Sequence, residues 1–157
     1  MASLYTEQLQ RIANRYLAIN KGKPTSKREM AAWAIGNNLW KPEPADLVSQ
    51  CGDQLAQAMR EEYYRDPQGR TVRAKHVARI MNEEGRQAFL WADIRTAPPE
   101  HMNIALKQRR QHIVGECRQL KLDVDSYNEN RRPNTQIPMN FNFTMDLLEA
   151  EAADRAA

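Results

Sequence analysis

Histidine and cysteine side chains are the first candidates for chemistry, because they serve as general bases, nucleophiles and metal ligands near neutral pH. The chain has three histidines and two cysteines, namely His76, His101, His112, Cys51 and Cys117. No companion nucleophile or acid accompanies His76, and His101, His112 and Cys117 lack the paired spacing of a zinc site. A glycine-rich phosphate loop and a nucleophile elbow are also missing from the sequence. We therefore predict no enzyme activity, no cofactor and no metal.

Phosphate binding by lysine and arginine is the second candidate chemistry. The formal net charge is only +3, but positive residues gather near the front of the chain, at Lys21, Lys23, Lys27 and Arg28. This bias is compatible with contacts to a nucleic-acid backbone, although it is weaker than the footprint of an obligate nucleic-acid binder. The loop at residues 20–25 is either a solvated connector or a clamp on that backbone. It lies beside a helix start, where free amides favour an anion.

Residues 26–94 contain the elements that must position these side chains. Residues 26–29, Ser-Lys-Arg-Glu, form a capping box, which predicts the start of a helix. Gly-Asn-Asn at residues 36–38 predicts its end, because left-handed backbone costs little there. A rigid connection at residues 39–42 leads to a third helix over residues 44–63, and a first helix precedes them over residues 4–19.

The predicted third helix has an apolar stripe and a polar face. The stripe is expected to pack in the core, and it comprises Leu47, Cys51, Leu55, Ala58 and Met59. Both cysteines are expected to be free, small, buried residues. Four outward residues are suited to contact base edges in a major groove, namely Gln50, Gln54, Gln57 and Arg60. Because carboxylates on the same face would repel phosphate, a DNA-reading helix and a plain packing helix both remain open.

From residue 71 the apolar period changes from helical to two. Residues 71–80 and 87–94 are predicted strands, joined by a turn at residues 82–85. One face of the first strand is mostly apolar and includes His76, which favours a hydrogen-bonded core histidine over a catalytic base. The opposite face carries Arg73, Lys75 and Arg79. These three cations are expected to touch the flanking DNA backbone, or else to form a solvated sheet face.

The segment Ile-Gly-Asn-Asn-Leu-Trp-Lys-Pro at residues 35–42, followed by a proline-started helix and a basic hairpin, resembles the HARE-HTH winged-helix modules. Those modules carry a similar Gly-Leu-Trp-x-Pro turn between their second and third helices. The resemblance covers roughly residues 4–94 and implies a winged helix-turn-helix that binds DNA. In this chain Asn-Asn precedes the Leu-Trp pair, and the third helix is not basic.

A long helix is predicted from the prolines at residues 98 and 99 to about residue 128. Apolar residues recur along it at heptad spacing, interrupted by Arg110, and they are Leu106, Ile113, Cys117, Leu120, Val124 and Tyr127. This stripe packs either on its own domain or against a second copy. A helix of about 30 residues spans roughly 45 Å, which is longer than one small domain covers. The length therefore favours a homodimer held by a coiled coil.

The chain ends with a polar linker at residues 130–136 and a second alternating segment. Its apolar positions are Ile137, Met139, Phe141, Phe143 and Met145. This alternation predicts a terminal β-strand whose apolar face must be covered by its own chain, by the dimer partner or by another protein. Residues 146–157 predict a short acidic helix.

Together these patterns predict an α+β fold. A winged helix-turn-helix occupies residues 1–96, a dimerisation helix residues 97–129, and a linker, terminal strand and acidic tail residues 130–157. No apolar run approaches the ~20 residues of a membrane span, and the start of the chain lacks a signal-peptide core. Single cysteines suit a reducing compartment, so we expect a cytoplasmic protein without membrane contacts.

The expected function is binding of duplex DNA by a homodimeric transcription regulator or accessory factor. The alternative is a non-enzymatic protein-interaction or adaptor module that docks through the winged helix and the terminal strand. One contiguous basic face would favour the first function, whereas scattered or neutralised charge would favour the second.

Overall fold

The computed structural model describes residues 4–21, 23–43, 46–130 and 136–157. Within those ranges the chain forms five helices and four strands. In chain order they are α1 (Leu4–Ile19), α2 (Lys27–Gly36), α3 (Asp46–Arg60), β1 (Tyr63–Arg65), β2 (Thr71–Arg73), β3 (Lys75–Met81), β4 (Gln87–Asp93), α4 (Pro99–Asn130) and α5 (Thr144–Ala156). The chain divides into two compact units, Met1–Gln57 and Ala58–Ala157.

Helices α1 and α2 confirm the sequence predictions. The Ser26 hydroxyl accepts from the Glu29 amide at 3.2 Å, and the Glu29 carboxylate accepts from the Ser26 amide at 3.0 Å. This reciprocal capping box starts α2 where the sequence placed it. The helix ends at Gly36, and Asn38 adopts a left-handed φ of 56°, which asparagine tolerates better than most residues.

Aromatic contacts join α1 to α2 and to the connection that follows. The ring centroids of Tyr16 and Trp33 lie 5.4 Å apart, and Ala34 beside Trp33 is buried. The Trp40 indole N–H donates to the Tyr5 hydroxyl at 3.0 Å. Because the Trp40 side chain binds α1 directly, this contact fixes the position of the connection after α2, which the sequence already predicted to be rigid.

The apolar stripe of α3 is exposed, which contradicts its predicted place in the core. Leu47 is 67% exposed and Leu55 is 58% exposed. Cys51, predicted to be buried, is also exposed, although both cysteines are free as expected. A helical period determines which side of a helix is apolar, whereas burial also needs a neighbouring element on that side. The sequence predicted the stripe correctly and its covering wrongly.

The predicted strand at residues 71–80 is divided into β2 and β3 at Ala74. The Ala74 amide donates to the Glu62 carbonyl at 2.9 Å, and the Ala74 carbonyl accepts from the Ile94 amide at 2.8 Å. The chain therefore exchanges one partner strand for another at this fully buried residue. The two described sheets are both antiparallel hairpins, β1 with β2 and β3 with β4.

The third helix ends earlier than predicted, because β1 begins where helix was expected. Tyr63 and Tyr64 belong to β1 and pair with Arg73 and Val72 of β2. Aromatic side chains favour a strand when a partner strand is present, and β2 provides that partner. The second hairpin agrees with the prediction, since Lys75 to Met81 pair in register with Asp93 to Gln87.

Helix α4 packs on β3 through its first turns. Ala105 and Ala78 are both buried. The Gln108 side-chain amide accepts from the Arg79 amide at 2.8 Å and donates to the Arg79 carbonyl at 2.7 Å. Gln108 thereby satisfies backbone groups at the β3 edge and fastens the helix to the hairpin. The long helix predicted from the sequence is confirmed as Pro99–Asn130.

The predicted terminal strand is wrong. Residues 136–143 pair with no described strand, and a helix begins at Thr144. The Asn140 side chain accepts from the Asn142 amide at 2.9 Å, and the Asn142 side chain accepts from the Thr144 amide at 3.2 Å. These local bonds occupy amides that a strand ladder would need. The predicted linker at residues 130–136 falls mostly outside the described residues.

The described chain is α+β, as the sequence predicted, with helices around two small antiparallel sheets. The finer prediction of a winged helix-turn-helix stays a prediction, as do the predicted domain boundaries. The acidic terminal helix is confirmed as α5, which begins at Thr144 rather than at residue 146.

Candidate interaction surfaces

The cations at the front of the chain lie between the end of α1 and the first turn of α2. All of them are exposed, namely Lys21, Lys23, Lys27 and Arg28. In the described part of the first unit, no lysine or arginine forms an ion pair. Glu29, the carboxylate next to them in sequence, is occupied by the capping box, and the Ser26 amide lowers the pKa of its carboxyl. The four charges are therefore available to an external anion.

The residues predicted to face a DNA groove are divided between the two units. Gln50 and Gln54 are exposed, and Gln57 is the last residue of the first unit. Arg60 belongs to the second unit, where its guanidinium lies 5.4 Å from the ring centroid of Trp91. All four residues nevertheless lie on the continuous helix α3, whose last three residues fall in the second unit.

Two of the three predicted ribbon cations are occupied within the protein. The Lys75 ammonium lies 2.9 Å from the Asp93 carboxylate and 3.1 Å from the Glu62 carboxylate. The Arg73 guanidinium donates to the Tyr63 hydroxyl at 3.3 Å. The side chain of Arg79 has no ion pair within the described residues, although its backbone binds α4. The ribbon therefore presents less free positive charge than its sequence indicates.

Asp93 is the centre of this charge network. The Arg95 guanidinium binds its two carboxylate oxygens at 2.9 and 2.7 Å, and this bidentate contact holds the pKa of the Asp93 carboxyl well below its usual range. The hydrogen bond from Lys75 to Asp93 in turn raises the pKa of the Lys75 ammonium. Arg95 also covers the Tyr64 ring, 4.5 Å from its centroid. The network ties β1, β3 and β4 together, so its charges have a structural use.

His76 is a buried, hydrogen-bonded histidine, as predicted. It is 7% exposed, and its Nε2 lies 3.0 Å from the Arg73 carbonyl oxygen. The Nε2 of His101 lies 3.0 Å from the His76 carbonyl oxygen. Because a carbonyl oxygen only accepts, Nε2 is the donor in each of these two contacts. Across the described residues, no group of His, Cys, Asp and Glu side chains is placed to hold a metal ion.

The heptad residues of α4 lie on a face that the chain leaves largely uncovered, which we call the α4 seam. Ile113 is 52% exposed and Leu120 is 44% exposed. Leu106 directly follows the buried Ala105, so it lies about 100° further round the helix, away from β3. Between residues 109 and 123 every residue is exposed except the half-buried Cys117. The structure therefore places the predicted dimerisation residues together on an open surface.

The terminal segment, residues 136–143, lies against the end of α4. The buried Asn128 side chain accepts from the Ile137 amide at 2.9 Å and donates to the Ile137 carbonyl at 3.1 Å. The rings of Phe141 and Phe143 meet edge to face, 6.3 Å apart. The segment is covered in part by its own α4, while Ile137, Met139 and Phe143 remain exposed.

A cleft of about 330 Å³ lies within the first unit, between α1 and the connection after α2. It is lined by Tyr5, Gln8, Leu9, Ile12, Asn38, Leu39, Trp40, Lys41 and Glu43. The hydrogen bond between Trp40 and Tyr5 spans part of this lining. The cleft lies where the Leu-Trp turn docks on α1.

The sequence did not predict which side chains hydrogen-bond to distant backbone groups or pair with the cations. Gln108 and Asn128 each bind both backbone groups of a distant residue, and amide side chains on a helix surface offer no periodic signal. Asp93 was more accessible to prediction. The turn at residues 82–85 determines the hairpin register, and that register places Asp93 directly opposite Lys75.

Comparisons with protein-family models, with curated proteins and with solved structures find no match. The resemblance to the HARE-HTH modules accordingly stays a prediction. Among the described residues, no helix combines the length and the apolar character needed to cross a membrane.

Proposed function

We propose that this protein is a non-enzymatic protein-interaction module that acts as a homodimer. In this proposal α4 joins two copies, and α3 docks onto another protein. The observation that carries it is the exposure of the apolar stripes of both helices. Contiguous apolar surface left in water marks protein-interaction sites more often than it marks nucleic-acid interfaces, which are polar and strongly basic.

The middle of α4 supports the dimer. Residues 109–123 make about four helical turns, and their side chains receive almost no cover from the rest of the chain. Helices without tertiary packing are marginal in water. A second helix along the α4 seam would supply that packing and would bury Leu106, Ile113, Cys117, Leu120, Val124 and Tyr127.

The exposed stripe of α3 supports a second contact, to a different protein. Leu47, Cys51 and Leu55 follow at four-residue steps, which is the spacing by which an amphipathic helix enters a hydrophobic groove. Asp46 and Asp53 lie on the polar side of the same helix. The chemistry of α3 therefore fits a partner groove with an apolar floor and a basic rim.

Leu55→Ser tests whether α3 is free for docking. Because Leu55 is exposed, we expect the melting temperature and the dimer dissociation constant of the variant to match those of the wild type. The change in unfolding free energy should be below about 0.5 kcal/mol. Thermal unfolding and sedimentation equilibrium measure both quantities. Ala78→Ser, at a fully buried position, is the control, and its buried hydroxyl is expected to cost about 1–3 kcal/mol. A comparable loss in Leu55→Ser would show that the chain or its second copy covers α3.

Binding of duplex DNA is the second candidate function. The observation that favours it is the cluster of unpaired cations at Lys21, Lys23, Lys27 and Arg28, beside the start of α2. Free cations attract phosphate. Glu62 and Asp93 neutralise Lys75 of the hairpin, so the front cluster is the better candidate for such contacts.

The double variant Lys23→Ala and Lys27→Ala tests DNA binding. If these lysines hold phosphates, affinity for a random-sequence duplex should fall, and the slope of log affinity against log salt should flatten by about 1.8. Fluorescence anisotropy between ~50 and ~200 mM salt measures this. Lys121→Ala is the control, because Lys121 is already paired with Asp125 at 2.6 Å. Absence of wild-type binding at ~50 mM salt would exclude this function.

A further inference from the structure

We infer that two copies pair through the α4 seam in antiparallel orientation, so that Arg110 of each copy contacts Asp123 of the other. The inference rests on the proposed homodimer and names the partner surface: the same helix of a second copy, reversed. It is carried by the distribution of charge along α4, together with the open, mostly apolar seam.

The two halves of α4 have opposite charge. Residues 99–114 hold three lysines or arginines and one glutamate, whereas residues 115–130 hold two lysines or arginines and four carboxylates. In a parallel pair each half of α4 would lie against the half of the other copy that has the same charge. In an antiparallel pair the positive half of each copy lies along the negative half of the other, so electrostatic complementarity selects the antiparallel orientation.

Arg110 is the residue that decides between the orientations. It occupies a seam position, between Leu106 and Ile113, and no described carboxylate pairs with it. In a parallel dimer the two Arg110 side chains would face each other across the seam, where like charges repel. That arrangement would leave a charged residue in the contact without a counter-ion.

Antiparallel alignment removes this conflict. When the two seams are aligned end to end, Leu106 meets Tyr127 of the other copy, and Arg110 reaches the level of Asp123. The Asp123 carboxylate accepts one hydrogen bond from Gln119 at 2.9 Å and has no described ion pair. The neighbouring Asp125 is already paired with Lys121. Asp123 is thus the acidic side chain left free at the required level.

The terminal segment extends the same surface. Asn128 holds Ile137 at the end of α4, and the exposed Ile137 and Met139 widen the apolar surface there. In the antiparallel pair this end lies beside the first turns of the other α4, near its Leu106. A parallel pair would instead place the two terminal segments at the same end.

Cross-linking tests the orientation. Two variants are needed, and both lack the native thiols through Cys51→Ser and Cys117→Ser. One of them carries Leu106→Cys, and the other carries Tyr127→Cys. A short bismaleimide should join the two variants when they are mixed and should leave each variant alone largely uncoupled. In a parallel pair, residue 106 of one copy and residue 127 of the other would be about 32 Å apart, so no mixed product would form. Cross-linking within each variant alone, without mixed product, would therefore overturn the antiparallel pair. Sedimentation of both variants establishes that they remain dimeric.

Exchange of the charges provides a second test, in the full chain. Arg110→Glu and Asp123→Arg are each expected to weaken the dimer roughly tenfold, since two symmetric ion pairs are lost. The double variant should recover wild-type affinity. Within one chain these residues are about 20 Å apart along α4, so recovery must come from the second copy. Dimerisation without recovery would overturn the antiparallel contact, whereas a wild type that is monomeric would overturn the proposed homodimer itself.

Discussion

Ile113→Asp is expected to convert the dimer into a monomer without unfolding the chain. Ile113 lies in the middle of the α4 seam and is 52% exposed in a single chain. In the monomer an aspartate at this position is hydrated and costs little. In the dimer its carboxylate would be surrounded by apolar side chains, and such desolvation without a partner costs several kcal/mol. Since each 1.4 kcal/mol raises the dissociation constant about tenfold, this loss moves dimerisation out of the micromolar range.

Sedimentation equilibrium across micromolar concentrations measures this effect. Circular dichroism at the same concentrations monitors the fold. Leu122→Asp is the matched control, because Leu122 is 51% exposed and lies about 180° round the same helix from Ile113. We expect Leu122→Asp to remain dimeric. A wild type that is monomeric at these concentrations, or equal effects of the two substitutions, would remove the seam from the assembly.

Asn128→Ala is expected to release the terminal segment from α4. Asn128 is buried and binds both backbone groups of Ile137, at 2.9 and 3.1 Å. Alanine removes both hydrogen bonds, and each contributes about 0.5–1.5 kcal/mol. The cost is confined to residues 136–157, since the hairpin and the first turns of α4 do not depend on this contact.

Limited proteolysis and hydrogen exchange of residues 136–143 measure the release. We expect cleavage within this segment to accelerate by about tenfold, because 1.4 kcal/mol corresponds to a factor of ten in the opening equilibrium. Asn130→Ala is the control, since the Asn130 side chain bonds only within α4, to Ser126 at 2.9 Å. Unchanged protection in Asn128→Ala would show that the exposed apolar residues, rather than Asn128, hold the segment.

These experiments separate the two proposed functions by the surface that each one needs. The docking function depends on α3 and on the α4 seam, and DNA binding depends on the front cations. The Asp93 network belongs to neither surface. Because Lys75 is neutralised there by Asp93 and Glu62, its substitution would test stability rather than binding.

The sequence by itself determined those elements whose signals are local. The capping box at Ser26, the left-handed Asn38 and the heptad period of α4 each act within a few residues, so their positions followed directly from residue types. The register of the second hairpin was also local, because its turn determines which residues face each other. The buried, hydrogen-bonded state of His76 followed from its place on the apolar side of β3.

Only the tertiary structure decided what covers each apolar face. The α3 stripe was expected in the core and is open to solvent, because a helical period does not specify a neighbour. The terminal segment was expected to be a strand, but its asparagines bond locally and its backbone is held by Asn128. Lys75 was expected to be a free cation; the hairpin register accounts for Asp93 opposite it, but only the fold brings Glu62 to it as well. The cover of α3, the anchoring of the terminal segment and the second partner of Lys75 depend on which elements meet in the fold, which periodicity and spacing do not encode.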